Sequence, residues 1–180
     1  SDPPVRRFAA RALSAKGLGG PKSGKRLVPL LADNDPSLRE AAAESLSRIP
    51  EAAPQLMEEL LKTDAVHRGW ALANVLRHHA TRLKRASVRV LFDRAARALT
   101  ADDQIWEPLL HVVRKHDPKL MYEWLMAEAA RLRKARKYTE AEACLKPLSR
   151  GDHFDGEARY ALGIAGVKAA RHRGVGGPVT

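Results

Sequence analysis

Two stretches of the chain repeat one another. Asp2-Pro3-Pro4-Val5-Arg6-Arg7-Phe8-Ala9-Ala10-Arg11-Ala12-Leu13-Ser14 is matched 33 residues later by Asp35-Pro36-Ser37-Leu38-Arg39-Glu40-Ala41-Ala42-Ala43-Glu44-Ser45-Leu46-Ser47. A unit of that length cannot enclose a core of its own. It buries its apolar side only by stacking on its neighbours, which is how helical solenoids are built. The repeat therefore fixes architecture before any single residue is considered.

Each position of the shared pattern has a physical role. Asp2 and Asp35 suit the cap of a helix, where a carboxylate accepts from the unpaired amides of the first turn, and Pro3 and Pro36 suit the first helical position, where no donor is needed. Val5, Ala9 and Leu13 then share one stripe, as do Leu38, Ala42 and Leu46. The paired alanines keep that stripe thin, so neighbouring helices can approach. A second apolar segment follows each: Leu27, Val28, Leu30 and Leu31, then Leu56, Met57, Leu60 and Leu61. Two helices per unit result.

This pattern, Asp-Pro-x-(Val/Leu)-Arg followed by Ala-Ala and Leu, resembles the HEAT repeat, particularly the short bacterial type also found in phycobilisome lyase-like proteins. The resemblance implies that Asp2, Arg6, Asp35 and Arg39 are structural, forming a ladder between units. A third unit is expected near Asp64, with Val66, Trp70, Ala71 and Val75 inward and a second helix carrying Val88, Leu91, Phe92, Ala95 and Leu99. Beyond it, Ala101-Asp102-Asp103 is expected to start a helix through Trp106, Leu109, Leu110 and Val113, which His116-Asp117-Pro118 ends while capping the next. The set Ala129, Leu132, Tyr138, Ala141, Leu145 and Leu148 is similar to a tetratricopeptide unit, with Gly163 beginning another. Glu128 and His153 depart from that family's pattern, and more divergent HEAT units are the alternative. The predicted fold is an all-α, right-handed solenoid of antiparallel helix pairs. Residues 1–100 are HEAT-like, 101–173 tetratricopeptide-like, and 174–180 a glycine-rich flexible tail.

Several functions are disfavoured. No apolar run approaches the roughly 18 residues a bilayer requires, and no leader pattern begins the chain, so a soluble, cytoplasmic protein is expected. The start on a repeat boundary without methionine predicts a piece of a longer chain, and a removed signal sequence would leave the compartment open. A single cysteine, Cys144, excludes an internal disulfide framework and reads as packing. Gly19-Gly20-Pro21-Lys22-Ser23-Gly24-Lys25 has the spacing of a phosphate-cradling loop, but Arg26 replaces the hydroxyl residue that holds magnesium, and a loop between helices is the expected account. His78 and His79 point apart on a helix. Glu107 and His111, four residues apart, suit a surface hydrogen bond better than a metal. No metal or cofactor is predicted.

Charge is the remaining signal: 32 lysines and arginines against 21 acids, a formal net of +11. At about 100 degrees per residue, Arg82, Arg85, Arg89 and Arg97 fall on one flank of the third unit's second helix. A cap at Ser87 would instead leave Arg82 and Arg85 in the preceding loop. Arg131, Arg133, Lys134, Arg136 and Lys137 form a second cluster, in the turn after a helix, and Lys168, Arg171, His172 and Arg173 a third. The expected function is a non-catalytic helical-repeat scaffold that binds a protein partner with an acidic surface, second helices lining its concave side. The alternative is a module that binds nucleic acid or another polyanion through phosphate contacts. HEAT-like alkylpurine DNA glycosylases bear such a basic concave face and need an acid and aromatic groups in it. Trp70, Trp106 and Trp124 match by type alone and are expected in the core. A bilin lyase follows only from the family likeness.

Overall fold

The computed structural model describes residues 4, 5, 8, 12, 21–150, 163 and 166–169. Among these there is no strand. Helix α1 (Pro21–Leu27) runs into a 3-10 turn over Val28–Ala32, where Pro29 withdraws an amide donor. Then come α2 (Pro36–Ser47), α3 (Ala53–Lys62), α4 (Val66–Leu76), a 3-10 turn over Arg77–Arg82, and α5 (Arg85–Thr100). Three helices follow: α6 (Trp106–His116), α7 (Pro118–Lys134) and α8 (Tyr138–Leu145).

Helix α2 starts as its sequence dictates. Asp35 is extended, its carboxylate accepts from the Ser37 amide at 2.9 Å, and Pro36 occupies the first helical position. Leu38, Ala42 and Leu46 are buried as expected, joined by Ala41 and Ser45. The same device opens α7, where Asp117 accepts from the amides of Lys119 at 2.9 Å and Leu120 at 3.1 Å. Helix α6 begins later than expected. Asp102 turns the chain with a left-handed φ of 56°, and Asp103 accepts from the Ile105 amide just before the helix.

The first helices α2, α4 and α6 lie side by side, and α7 packs on α6. The closest sequential pairings are α3 with α4, α5 with α6 and α7 with α8, so each second helix sits tightest against the helix that follows it. Within the third unit, the turn at 77–82 separates α4 from α5 and lies against α6. One buried core runs from Leu27 to Leu148 through all of these elements.

The inward face of α4 differs from the expected one. Gly69, Leu72, Ala73, Val75 and Leu76 are buried, whereas Val66, Trp70 and Ala71 are half-buried. The glycine explains the rotation. A Cβ at Gly69 would stand 2.7 Å from Ile105 Cδ1 and 3.0 Å from Pro108 Cγ, so α6 approaches α4 at a point where no side chain fits.

The joints between units are also not those expected. Arg39 forms no side-chain ladder with another unit among the described residues. It donates to the Asp33 carbonyl at 2.7 Å and the Asn34 carbonyl at 3.2 Å, in the loop that ends the unit before it, while Asp35 caps its own helix. Asp2 and Arg6 lie outside the described residues. Instead, His79, only 2% exposed, places Nε2 2.9 Å from the Leu46 carbonyl at the end of α2. His116 places Nδ1 2.8 Å from the Ala80 carbonyl. A carbonyl can only accept, which assigns the proton to those nitrogens. Arg94 completes the set, donating to the Thr63 carbonyl and to Asp64 Oδ1, both at 2.8 Å.

Candidate functional site

The basic residues singled out by sequence do not form one stripe. Arg82 lies in the turn before α5, and the helix itself starts at Arg85 with no side-chain cap, leaving Ser87 inside its first turn. Arg85, Arg89 and Arg97 are exposed on α5. Arg89 is nevertheless engaged. Its Nε donates to Asp93 at 2.8 Å, and its guanidinium lies 5.3 Å from the Phe92 ring centroid and 4.9 Å from that of Trp124. The two rings pack at 5.2 Å with a 56° tilt, so this cation fastens α5 to α7.

In the second cluster, Arg131, Arg133 and Lys134 belong to the last turn of α7, rather than to the turn after it, and favour the negative end of the helix dipole. Arg136, with a left-handed φ of 60°, and Lys137 form the turn. Arg131 is paired with Glu128, and that hydrogen bond holds the Glu128 carboxyl below its ordinary range. Lys137 is paired with Glu140 at 3.2 Å. Lys168 sits 5.3 Å above the Tyr138 ring, while Arg171, His172 and Arg173 lie outside the described residues. Arg82, Arg85, Arg97, Arg133, Lys134 and Arg136 make no ion pair among the described residues. All but the half-buried Arg133 are exposed.

The segment resembling a phosphate loop is not a loop where it is described. Ser23 and Gly24 are buried within α1, Gly24 so close to Ala52 that a Cβ would meet it at 3.1 Å. With Ser23 and Gly24 buried, a phosphate has no approach to this stretch of backbone. Cys144 is buried, which pushes its thiol up to about 12, so it carries no thiolate at neutral pH. Among the described residues no group of three His, Cys, Asp or Glu side chains could hold a metal, and no helix is long and apolar enough to cross a membrane.

Two clefts among the described residues lie between first helices. One, of about 430 Å³, separates α2 from α4 and carries mixed charge from Arg39, Glu40, Glu44 and Arg77. The other, of about 180 Å³, lies between α4 and α6. Trp70 and Trp106 form its walls, both half-buried rather than in the core, as is Trp124. At its floor the His111 ring packs on Trp70 with centroids 5.3 Å apart. The expected Glu107–His111 hydrogen bond does not form: His111 Nε2 is buried with no partner. Burial, then the charges of Arg77, Arg114 and Lys115, hold this imidazole below its ordinary value of 6.5 and keep it neutral.

Sequence reasoning missed this cleft because tryptophan counts as apolar and was assigned inward. The available signal was the run Gly69, Leu72, Ala73, Leu76, whose spacing of three and four residues leaves Trp70 outside the stripe. It also missed the histidine joints, for which the signal was a histidine at or just past the end of the first helix in two successive units.

The family model for HEAT repeats matches residues 1–77. No curated protein and no solved structure matches the chain. The match ends just after α4, ahead of the segment that resembles a tetratricopeptide unit. HEAT repeats generally act as helical scaffolds for protein interaction and are typically non-catalytic. The Asp-capped, alanine-lined α2 and the side-by-side first helices agree with this match, so residues 1–77 are similar to HEAT repeats and the described residues form an all-α fold consistent with a solenoid.

Proposed function

We propose that the chain is a non-catalytic scaffold that binds a partner protein through an acidic surface. The observation that carries this reading is the set of exposed cations without a counter-ion among the described residues: Arg82, Arg85, Arg97, Lys134 and Arg136. Cations already matched inside the molecule, as Arg89 and Arg131 are, have little left to offer a partner. Unmatched ones on a chain of net charge +11 attract an anionic surface and speed encounter with it.

A nucleic-acid partner would use the same charges but also favours open aromatic faces between them. Trp124, which packs on α5, already carries Arg89 over one ring face and Phe92 beside it. Protein is therefore the better partner class.

The test is a salt titration of binding to poly-L-glutamate and to duplex DNA, with the Arg85→Glu/Arg97→Glu double variant alongside. The scaffold reading expects binding to poly-L-glutamate that weakens with salt and falls about tenfold in the variant. No binding to poly-L-glutamate at low salt overturns it. Tighter binding to DNA transfers the function to nucleic acid.

A further inference from the structure

The scaffold reading names a charge but no seat. The cleft between α4 and α6 supplies one, and the inference drawn from it rests on that reading. Interfaces draw most of their affinity from a few anchors, large side chains set in desolvated pockets on the partner. This cleft has that form. Two indoles, Trp70 and Trp106, stand on successive first helices with Leu110 and Met121 between them, around a space of about 180 Å³. That is room for one large side chain.

Its floor carries the uncharged His111 ring, whose Nε2 is shielded from water and has no hydrogen-bond partner among the described residues. A positive rim surrounds this floor. Arg114 lines the cleft, is exposed and makes no ion pair among the described residues. Arg77 and Lys115 lie near enough to act on the His111 imidazole. Glu107 is the single acid among the described lining residues. An apolar cavity with a cationic rim complements an apolar side chain flanked by carboxylates. It is a poor seat for nucleic acid, whose phosphates would have to pass Glu107 to bring a base inside.

We propose that the cleft between α4 and α6 seats one aromatic or large aliphatic side chain of an acidic partner peptide, with a neighbouring carboxylate of that peptide paired to Arg114. The indoles grip the anchor, and the guanidinium orients the backbone on either side of it. The other exposed cations then add charge attraction without sequence preference. A partner would be selected by an apolar residue within an acidic run, and not by acidity alone.

The probes are two peptides: one phenylalanine between two runs of four glutamates, and a run of glutamates of the same length. Calorimetry gives their affinities, and tryptophan emission reports on the cleft. The phenylalanine peptide should bind about tenfold tighter than the all-glutamate one and shift the emission. Trp106→Leu should erase that advantage while leaving the all-glutamate affinity unchanged. Arg114→Glu, an exposed change that leaves the fold intact, should weaken the phenylalanine peptide more than its control. Equal affinities for the two peptides would overturn the seat and leave the acidic-partner reading standing. Binding of neither would overturn both.

Discussion

The regions α2 to α4 and α5 to α8 each contain one Asp-Pro helix start and fill their interiors differently. Asp35-Pro36 and Asp117-Pro118 start α2 and α7 with the same capping bonds. In α2 and α4 the buried leucines alternate with small residues, Ala41, Ala42 and Ala73, and Gly69 admits α6 onto α4 where no side chain fits. Between α5 and α7 the contact is made by Phe92, Trp124 and the overlying Arg89. What distinguishes the HEAT-matched segment is thus the thinness of its interior, since an Asp-Pro helix start occurs in both regions. Thin interiors and thick ones also fail in opposite ways.

Truncation should do most harm in the second region. Phe92→Ala is expected to cost about 4 kcal/mol, because it removes a fully packed ring and leaves Trp124 without support. Enlargement should do most harm in the first, where Ala42→Leu is expected to cost about 2 to 3 kcal/mol by overpacking. Urea unfolding measures both. If Ala42→Leu proved neutral, the contrast between the two interiors would be lost.

Next in size are the joints. His79→Ala should cost about 2 kcal/mol, as the Leu46 carbonyl loses a buried donor, and His116→Ala about 1 kcal/mol, because that ring is only half-buried. Equal losses would mean that burial does not set the strength of these bonds. Removing a cap should then cost about 1 kcal/mol in either region, whether Asp35→Ala or Asp117→Ala, with thermal melting as the readout.

The smallest expected effect is a pH dependence. The folded value of His111 lies below the ordinary 6.5, so the folded chain binds fewer protons than the unfolded one just below that pH. Stability contributed by the neutral ring is present above pH 6.5 and is lost as pH falls through the lower folded value. His111→Phe should flatten this acid limb relative to the parent in urea titrations at several pH values. An unchanged limb would show that the ring titrates alike in both states.

The parts of the fold readable from sequence were those governed by local rules. The Asp-Pro caps and the Leu38, Ala42, Leu46 stripe depend on residues a few positions apart, and both stand in the structure as expected. Trp70, Arg39 and the histidines depend on what lies across a helix interface. Gly69 rotated α4 by admitting Ile105 and Pro108, and hydropathy gives a glycine no weight in choosing a face. Arg39 had a backbone acceptor close by in its own loop, which a ladder between units does not consider. The charges were legible as a total but not as a site, because a formal count cannot separate Arg89, stacked and paired, from Arg97, which is not.

The joints between units run in one direction. His79, Arg94 and His116 each come from a later unit, and each donates to a main-chain carbonyl of an earlier one. A carbonyl is the same whatever side chain stands above it. The earlier unit can therefore exchange its residues freely while the joint survives, and only the later unit must keep its donor. In a tandem array grown by duplication, divergence of one copy need not be answered by a matching change in the copy before it.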